Sequence, residues 1–306
     1  MARTTDAAEG LGSAELKRML ALAMGGNARE LSFWLARFGG QPGPRPNLAL
    51  LQGFGAEAAS HGDRALRVLS LFAKNDAAPD TSEVFLPMVA AHGFAQLIVR
   101  DKAIRASWAA LFELAADERI QVRLATVAAL VELCAKKSSD ALVIEAESWL
   151  SNEDRELRWG ALAVTCDVFA ERRVIDSLVD RARWLAFLAA LLDDVADAPR
   201  AAERSDARRR MTAAMPAPIA LVAQSFRGEP SGIAWLEEQC RRATVIDMRS
   251  VLENAIERLR KRGGSEKVET LEALNAALAS SAKPPRDPSR IREGTGRGKK
   301  RRSRGA

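Results

Sequence analysis

Apolar residues recur at intervals of three and four along most of the chain, from Ala14 onward. Alanine, leucine, arginine and glutamate dominate these stretches, and all four are strong helix formers. No stretch alternates apolar and polar residues with the period of two that is typical of a strand. The pattern therefore predicts an all-α protein whose helices are separated by short polar or Gly/Pro-rich breaks, at residues 39–46, 75–80, 136–140, 151–152, 198–199, 228–230 and 263–264.

The two ends of the chain lack this periodicity. Residues 1–12 (MARTTDAAEGLG) carry no apolar stripe, and we expect them to be flexible. Residues 283–306 contain almost no apolar side chain, so they cannot contribute to a core and are predicted to be disordered. The expected organisation is a flexible N-terminus, a helical repeat domain over residues 13–282 and a disordered basic C-terminal tail.

An aliphatic residue followed by arginine recurs near the start of five predicted helices. In the clearest copies, an apolar stripe at helical spacing follows Met248 and Val122. Val122 lies 35 residues before Leu157, and Leu66 lies 38 before Ile104, so the interval is nearly constant except between Ile104 and Val122. The five pairs are Leu66-Arg67, Ile104-Arg105, Val122-Arg123, Leu157-Arg158 and Met248-Arg249.

Residues 117–130 (DERIQVRLATVAAL) and 152–163 (NEDRELRWGALA) are the best copies of this pattern. An acidic turn, an aliphatic-Arg pair and an alanine-rich apolar stripe resemble the second helix of a HEAT-like repeat. The resemblance covers about residues 55–262 and is strongest over residues 98–169. It implies antiparallel helix pairs stacked into a right-handed α-α superhelix, a solenoid with a concave and a convex face, in which each repeat needs its neighbours to bury its apolar surface.

The basic charge is concentrated in the tail. Residues 283–306 hold ten basic and two acidic side chains, a charge of +8, so the other 282 residues carry −2 of the chain's +6. A nearly neutral helical body argues against tracking of nucleic-acid phosphates along its surface. The tail itself could bind a polyanion electrostatically, through Lys299, Lys300, Arg301, Arg302 and Arg304.

Compartment signals are few. The longest uninterrupted apolar run, residues 184–192, is too short to span a membrane. Asp6 and Glu9 precede the first apolar stretch, unlike a secretory signal. Three widely spaced cysteines do not form a disulfide framework and favour a reducing compartment. We therefore expect a cytoplasmic protein without membrane contact.

The sequence offers little catalytic chemistry. His61 and His92 belong to no metal-binding motif, and we expect both at the surface or at helix ends. Cys134, Cys166 and Cys240 lie in helical patterns and are interpreted as small packing residues. Phosphate loops and the GxSxG elbow are absent. The sequence therefore predicts no enzyme activity, no metal and no cofactor.

Tryptophans allow two interpretations. Trp149 and Trp159 either fill gaps between helices or form a pair of binding hot spots on the concave face. The second interpretation is based on the position of Trp159, which lies off the apolar stripe that begins at Leu157.

A DNA-repair activity is the enzymatic alternative for a protein of this pattern. Certain HEAT-like DNA glycosylases for alkylated bases carry a tryptophan-rich segment with a nearby catalytic aspartate. Here the first acidic residue after Trp108 is Glu113, which disfavours that activity.

The function expected from the sequence is that of a non-catalytic scaffold which binds a protein partner along its groove. The predicted contact residues are Arg67, Arg105, Arg123, Arg158, Trp159 and Arg249. The alternative role for these arginines is structural, through Asp63, Asp101 and Asp154, each four residues before an arginine. The alternative function is association with nucleic acid through the basic tail, with glycosylase activity a distant third.

Overall fold

A computed structural model describes residues 3–261 and 268–281, with side chains from residue 14 onward except at position 200. Throughout this part of the chain the regular structure is helical, without a β-strand, which confirms the predicted all-α class. Short 3₁₀ turns occur at Gly62–Ala65, Ser82–Val84 and Arg200–Arg204. The α-helices are α1 (Arg3–Met24), α2 (Arg29–Phe38), α3 (Leu48–Ser60), α4 (Leu66–Ala73), α5 (Phe85–Val99), α6 (Ile104–Ala116), α7 (Ile120–Lys136), α8 (Ser139–Leu150), α9 (Arg155–Val168), α10 (Arg172–Asp176), α11 (Arg181–Asp197), α12 (Asp206–Ala214), α13 (Pro216–Ser225), α14 (Gly232–Arg242), α15 (Ile246–Lys261) and α16 (Val268–Ser280).

Polar side chains directly before six helices help to set where those helices begin. A side-chain oxygen of the residue before the helix accepts a hydrogen bond from an amide of the first turn, which satisfies one of the four unpaired donors there. Such caps precede α3, α8, α9, α11, α12 and α14, and they are Asn47, Ser138, Asp154, Asp180, Ser205 and Ser231. Six of the seven predicted breaks coincide with connections between helices, and residues 263–264 lie outside the described part of the chain.

The first helix begins earlier than the sequence interpretation placed it. Helix α1 starts at Arg3, ten residues before the predicted beginning of the helical domain at residue 13. Ala7, Ala8 and Glu9 favour a helix by intrinsic propensity, which offsets the cost of Gly10 and Gly12. Amphipathic periodicity is therefore not required for helix formation here. The predicted tail, residues 283–306, lies outside the described residues.

Helices pack against partners that are near them in the chain. One row of contacts links α3, α5 and α7, and a second row links α6, α9, α12 and α15. Helix α9 joins the two rows, because it contacts α7 of the first row as well as α6 and α12 of the second. The C-terminal end follows the same rule, since α16 packs on α14 and α15. Buried apolar side chains run through the whole assembly as one continuous core from Leu16 to Leu278.

Helix α5 is the most apolar segment of the described chain. Together with the preceding turn, residues 82–99 have a mean hydropathy of 1.4 and are long enough to cross a membrane by length and composition alone. However, 83% of this segment is buried inside the protein, against α3, α4, α6 and α7. The sequence analysis missed this segment because Gly93 and several polar residues interrupt its apolar run.

Two side-chain placements differ from the sequence interpretation. His61 is partly buried at the C-terminal end of α3, as expected, but His92 is only 3% exposed in the middle of α5. Leu157 was expected to begin the buried stripe of α9, yet it is 38% exposed while Trp159 is 2% exposed. In α5 and in α9, several neighbouring helices decide which side chains are buried. A single amphipathic stripe in the sequence therefore does not predict the burial of His92 or Trp159.

The remaining packing residues are where the sequence placed them. Cys134, Cys166 and Cys240 are buried free thiols, and burial raises the pKa of Cys134 and Cys240 to about 12. The indole ring of Trp149 packs edge-on against Trp108, with 6.1 Å between ring centroids. Because both rings are about 5% exposed, these two tryptophans fill space between helices and present little surface.

Candidate binding groove

Three of the five motif arginines perform the same structural task. The Nη1 atoms of Arg123 and Arg158 each donate to the carbonyl oxygen six residues earlier, at Asp117 (2.8 Å) and Asn152 (2.8 Å). Arg249 repeats this geometry with Ala243 at 3.5 Å and makes a closer bond to Leu278 at 2.5 Å. Each arginine is the fourth residue of its helix, so its side chain reaches back over the loop that leads into that helix. We call this arrangement the arginine brace.

The brace of α9 extends into a buried network. Arg158 Nη2 donates to Asp194 Oδ1 at 2.6 Å, and the indole N–H of Trp159 donates to Asp194 Oδ2 at 2.6 Å. The side chains of Arg158 and Asp194 are only 12% and 16% exposed. One carboxylate on α11 therefore satisfies two donors from α9. Because Trp159 is buried and its N–H is paired, this residue offers no surface in the conformation described.

Arg67 and Arg105 lie in a different environment. Both are exposed, and neither makes a hydrogen bond or an ion pair with another described residue. Each is the second residue of its helix, α4 or α6. The partner-binding role predicted for these two residues stays a prediction.

The acidic residues four positions earlier do not pair with the motif arginines. Asp154 instead caps α9, since its Oδ1 accepts from the amides of Glu156 and Leu157. Asp101 pairs with Lys137, the residue directly after α7, and Asp63 makes no ion pair within the described residues. The i,i+4 pairing considered for these carboxylates was thus wrong, because helix capping and contacts between helices compete for them.

A buried arginine that the sequence analysis missed connects two neighbouring helices. Arg208, the third residue of α12, is 7% exposed and donates to Asp247 Oδ2 on α15 at 2.6 Å. It also donates to the carbonyl oxygen of Val195 at 3.2 Å. The signal was present, because Arg208 also follows an apolar residue, Ala207, near a helix start, but three consecutive arginines at positions 208–210 resemble a solvated charge run.

These contacts place the starts of several helices along one edge of the protein. Ser205 Oγ, before α12, donates to Glu156 Oε2 at the start of α9. The Arg208–Asp247 pair joins the starts of α12 and α15, and Ser281 Oγ, after α16, donates to the carbonyl oxygen of Ala243, before α15. We call this the helix-start edge. It continues to α7, because the loop before α7 and the first turn of α9 line the same cavity.

A cavity of about 1030 Å³ opens at the helix-start edge. One wall is the connection at residues 75–80, which Arg119 fixes through bonds to the carbonyl oxygens of Asn75 and Ala77, both 2.9 Å. The opposite wall is formed by residues 204–207 and Arg210. Its floor lies between α6 and α9, where a Cβ atom at Gly160 would be 2.9 Å from the Cα atom of Ala116. We call this cavity the edge groove.

The lining of the edge groove carries more negative than positive charge. Arg119 makes a bidentate pair with Asp117 that raises the pKa of the Arg119 guanidinium, so these two charges are largely compensated. Arg210 has a buried Nε without a hydrogen-bond acceptor among the described residues. Six carboxylates face three guanidinium groups in the lining; the carboxylates are Asp76, Glu113, Asp117, Glu118, Glu156 and Asp206, and the guanidinium groups are Arg119, Arg204 and Arg210.

Three of these carboxylates are available to a ligand. Asp76, Glu113 and Glu118 are exposed, and their side chains make no hydrogen bond or ion pair with other residues that the structure describes. Leu157 adds a partly exposed apolar side chain beside them. Sequence reasoning missed this set because Asp76 lies between α4 and α5, Glu113 on α6 and Glu118 directly before α7, and only the packed fold brings the three together.

A second polar cluster is buried between α5 and α7. Glu132 accepts from Gln96 Nε2 at 3.0 Å and from Lys136 Nζ at 2.6 Å, and His92 Nδ1 lies 3.8 Å from its carboxylate. The nearby His92 imidazole and then Lys136 lower the pKa of Glu132 to about 2. Within the described residues no group of three or more His, Cys, Asp or Glu side chains is arranged to hold a metal ion.

The comparisons with known proteins add no family to this description. No protein-family model matches the chain, and no curated protein sequence matches it. The basic residues predicted to bind a polyanion, Lys299, Lys300, Arg301, Arg302 and Arg304, lie outside the described part of the chain.

Proposed function

We propose that this protein is a HEAT-like solenoid that acts as a non-catalytic scaffold and binds an extended, positively charged segment of a protein partner in the edge groove. The solenoid is supported by the packing of each helix against near neighbours in the chain. It is also supported by the arginine brace, which recurs at the starts of α7, α9 and α15.

The observation that carries the proposed function is the excess of carboxylates in an open groove across three helix connections. Asp76, Glu113 and Glu118 leave negative charge that a bound lysine or arginine would neutralise. A volume of about 1030 Å³ is at the upper end of small-molecule sites, and its open shape suits a stretch of polypeptide. The groove therefore favours a peptide segment over a compact ligand.

Two further features specify what this segment would contact. The Nε of Arg210 is buried and lacks an acceptor among the described residues, and a rotation of this side chain into the groove would let a backbone carbonyl of the bound segment supply one. Leu157, 38% exposed, would pack against a small apolar side chain. Binding would weaken with salt, since its specificity comes from solvent-exposed charges.

The test is co-purification of partners with full-length protein from its own cells. The Glu113→Lys/Glu118→Lys variant reverses two unpaired carboxylates of the groove, and we expect it to lose a partner that the wild type retains. Glu171→Lys/Glu269→Lys is the matched control, because both residues are exposed and lie outside the groove lining. A partner that both variants retain equally would contradict the proposal.

Association with nucleic acid is the second candidate function, and the +8 charge of residues 283–306 favours it. Binding to a random DNA duplex should then decrease steeply with salt and disappear when residues 299–304 are neutralised. Equal DNA binding by the neutralised and wild-type chains would exclude a contact through the tail.

A further inference from the structure

We infer that the edge groove is also the docking site for the chain's own basic segment, residues 283–306, which binds there within the same molecule. This inference uses the same groove as the proposed function but does not require a partner, so either proposal can fail alone. Its basis is the position at which the described chain ends, the length of chain that follows and the charges on both sides.

The described chain ends on the edge that contains the groove. Ser281 Oγ donates to the carbonyl oxygen of Ala243 at 2.9 Å and accepts from Arg249 Nη1 at 2.8 Å. Arg249 Nη1 also donates to the carbonyl oxygen of Leu278. The arginine brace of α15 thus fixes the end of α16 beside the start of α15, and the following residues leave from the helix-start edge.

The groove lies within reach of the basic run. From Ser281 the path along the edge passes from the start of α15 to that of α12 through Arg208 and Asp247, and then to α9 through Ser205 and Glu156. With packed helices about 8–10 Å apart, this path is roughly 20–30 Å long. Eighteen residues separate Ser281 from Lys299, and they can extend to about 60 Å.

The charges of the groove and the segment are complementary. The segment carries ten basic side chains against two acidic ones, whereas the groove lining carries six carboxylates against three guanidinium groups. Attachment to the same chain raises the effective concentration of the basic run at the groove to the millimolar range. Weak pairing with Asp76, Glu113 and Glu118 therefore suffices to keep the groove occupied.

The first test is zero-length carbodiimide coupling in the full-length chain at low salt, read by mass spectrometry. We expect amide links from Lys299 or Lys300 to Glu113 or Glu118, and their loss in Glu113→Gln/Glu118→Gln or at high salt. A mixture of isotope-labelled and unlabelled chains distinguishes links within one molecule from links between two. Absence of links to the groove, equal yields at Glu171 and Glu269, or links only between two molecules would each overturn the inference.

The second test is the rate at which trypsin cleaves the basic run in the full-length protein. Reversing two groove charges in Glu113→Lys/Glu118→Lys should raise the cleavage rate after residues 297–304 about tenfold. The control Glu171→Lys/Glu269→Lys should leave the rate unchanged, which separates docking from a general effect of charge. Equal rates in all three proteins would show that the segment does not occupy the groove.

The two proposals have separate outcomes. If a partner requires Glu113 and Glu118 but no intramolecular links form, the scaffold function stands and docking of the basic segment is wrong. If intramolecular links form but no partner depends on these carboxylates, docking of the basic segment stands and the scaffold function is wrong. If both are observed, neutralising residues 299–304 should increase partner binding, because the segment would no longer compete for the groove.

Discussion

The same aliphatic-Arg pair has two structural outcomes in different parts of this protein. At α7, α9 and α15 the arginine is the fourth residue of its helix and bonds to the carbonyl oxygen six residues earlier. At α4 and α6 the arginine is the second residue and points to solvent. The difference is one of register between the pair and the start of the helix.

The local backbone explains this difference in register. Before α4, a 3₁₀ turn at Gly62–Ala65 leads directly into the helix, and before α6, Ala103 has a φ of 42°. Before α7 and α9 the preceding residue, Arg119 or Asp154, has an extended backbone, and a carbonyl group of the connection lies within reach of the fourth residue. An arginine at the second position of its helix is free for other contacts, whereas one at the fourth position stabilises the connection before its helix. At Arg123 that connection, residues 117–119, lines the edge groove.

The largest expected effect is at the buried network of α9. Asp194→Ala leaves the charge of Arg158 and the indole N–H of Trp159 without a partner, and should lower the free energy of unfolding by about 3 kcal/mol. Urea denaturation followed by tryptophan fluorescence measures this change. Asp193→Ala is the control, because the Asp193–Arg242 pair is about half exposed on both sides. Similar losses in both variants would contradict the role of Asp194.

A smaller loss is expected where α12 meets α15. Arg208→Ala removes the bonds to Asp247 and to the carbonyl oxygen of Val195, and should cost about 2 kcal/mol of unfolding free energy. The neighbouring substitution Arg209→Ala removes only an exposed pair with Asp206 and should not change stability measurably. Thermal unfolding of both variants provides the comparison. Equal melting temperatures would show that the buried arginine is not a structural link.

The brace itself predicts a difference between motif copies. Arg123→Ala loses bonds to two carbonyl groups, at Asp117 and Glu118, and should lower the unfolding free energy by about 1 kcal/mol. Arg105→Ala loses no bond within the described residues and should be neutral. Chemical denaturation of the two single variants tests the register rule, and a larger loss for Arg105→Ala would refute it.

The polar cluster of α5 and α7 predicts an effect that depends on pH. The folded-state pKa of Glu132 is lowered to about 2, so its carboxylate contributes stability above the ordinary pKa near 4.5 that is lost as the pH falls toward about 2. Glu132→Gln should therefore be destabilising at pH 6 and nearly neutral close to pH 2. Denaturation curves at several pH values test this, and a constant difference across the range would contradict it.

The sequence predicted the all-α class and six of the connections between helices, because alanine-rich periodicity and Gly/Pro-rich or polar breaks are local signals. Burial of Val122 and Met248 was also predictable from their helical stripes. The ion pairs of Arg158 and Arg208 were not predictable, because their partners Asp194 and Asp247 are 36 and 39 residues away in the chain. The edge groove was equally hidden, since Asp76, which follows α4, meets Glu113 and Glu118 only in the packed fold.

Photo-cross-linking in living cells tests most directly whether the groove, and not the exposed motif arginines, is the binding surface. A photoreactive amino acid would replace Ala78 in the groove or Arg105 on α6 in otherwise wild-type protein. The account predicts a discrete adduct from position 78, to a partner or to residues 283–306, and none from position 105. An adduct from position 105 alone would contradict it and would return the binding site to the motif arginines.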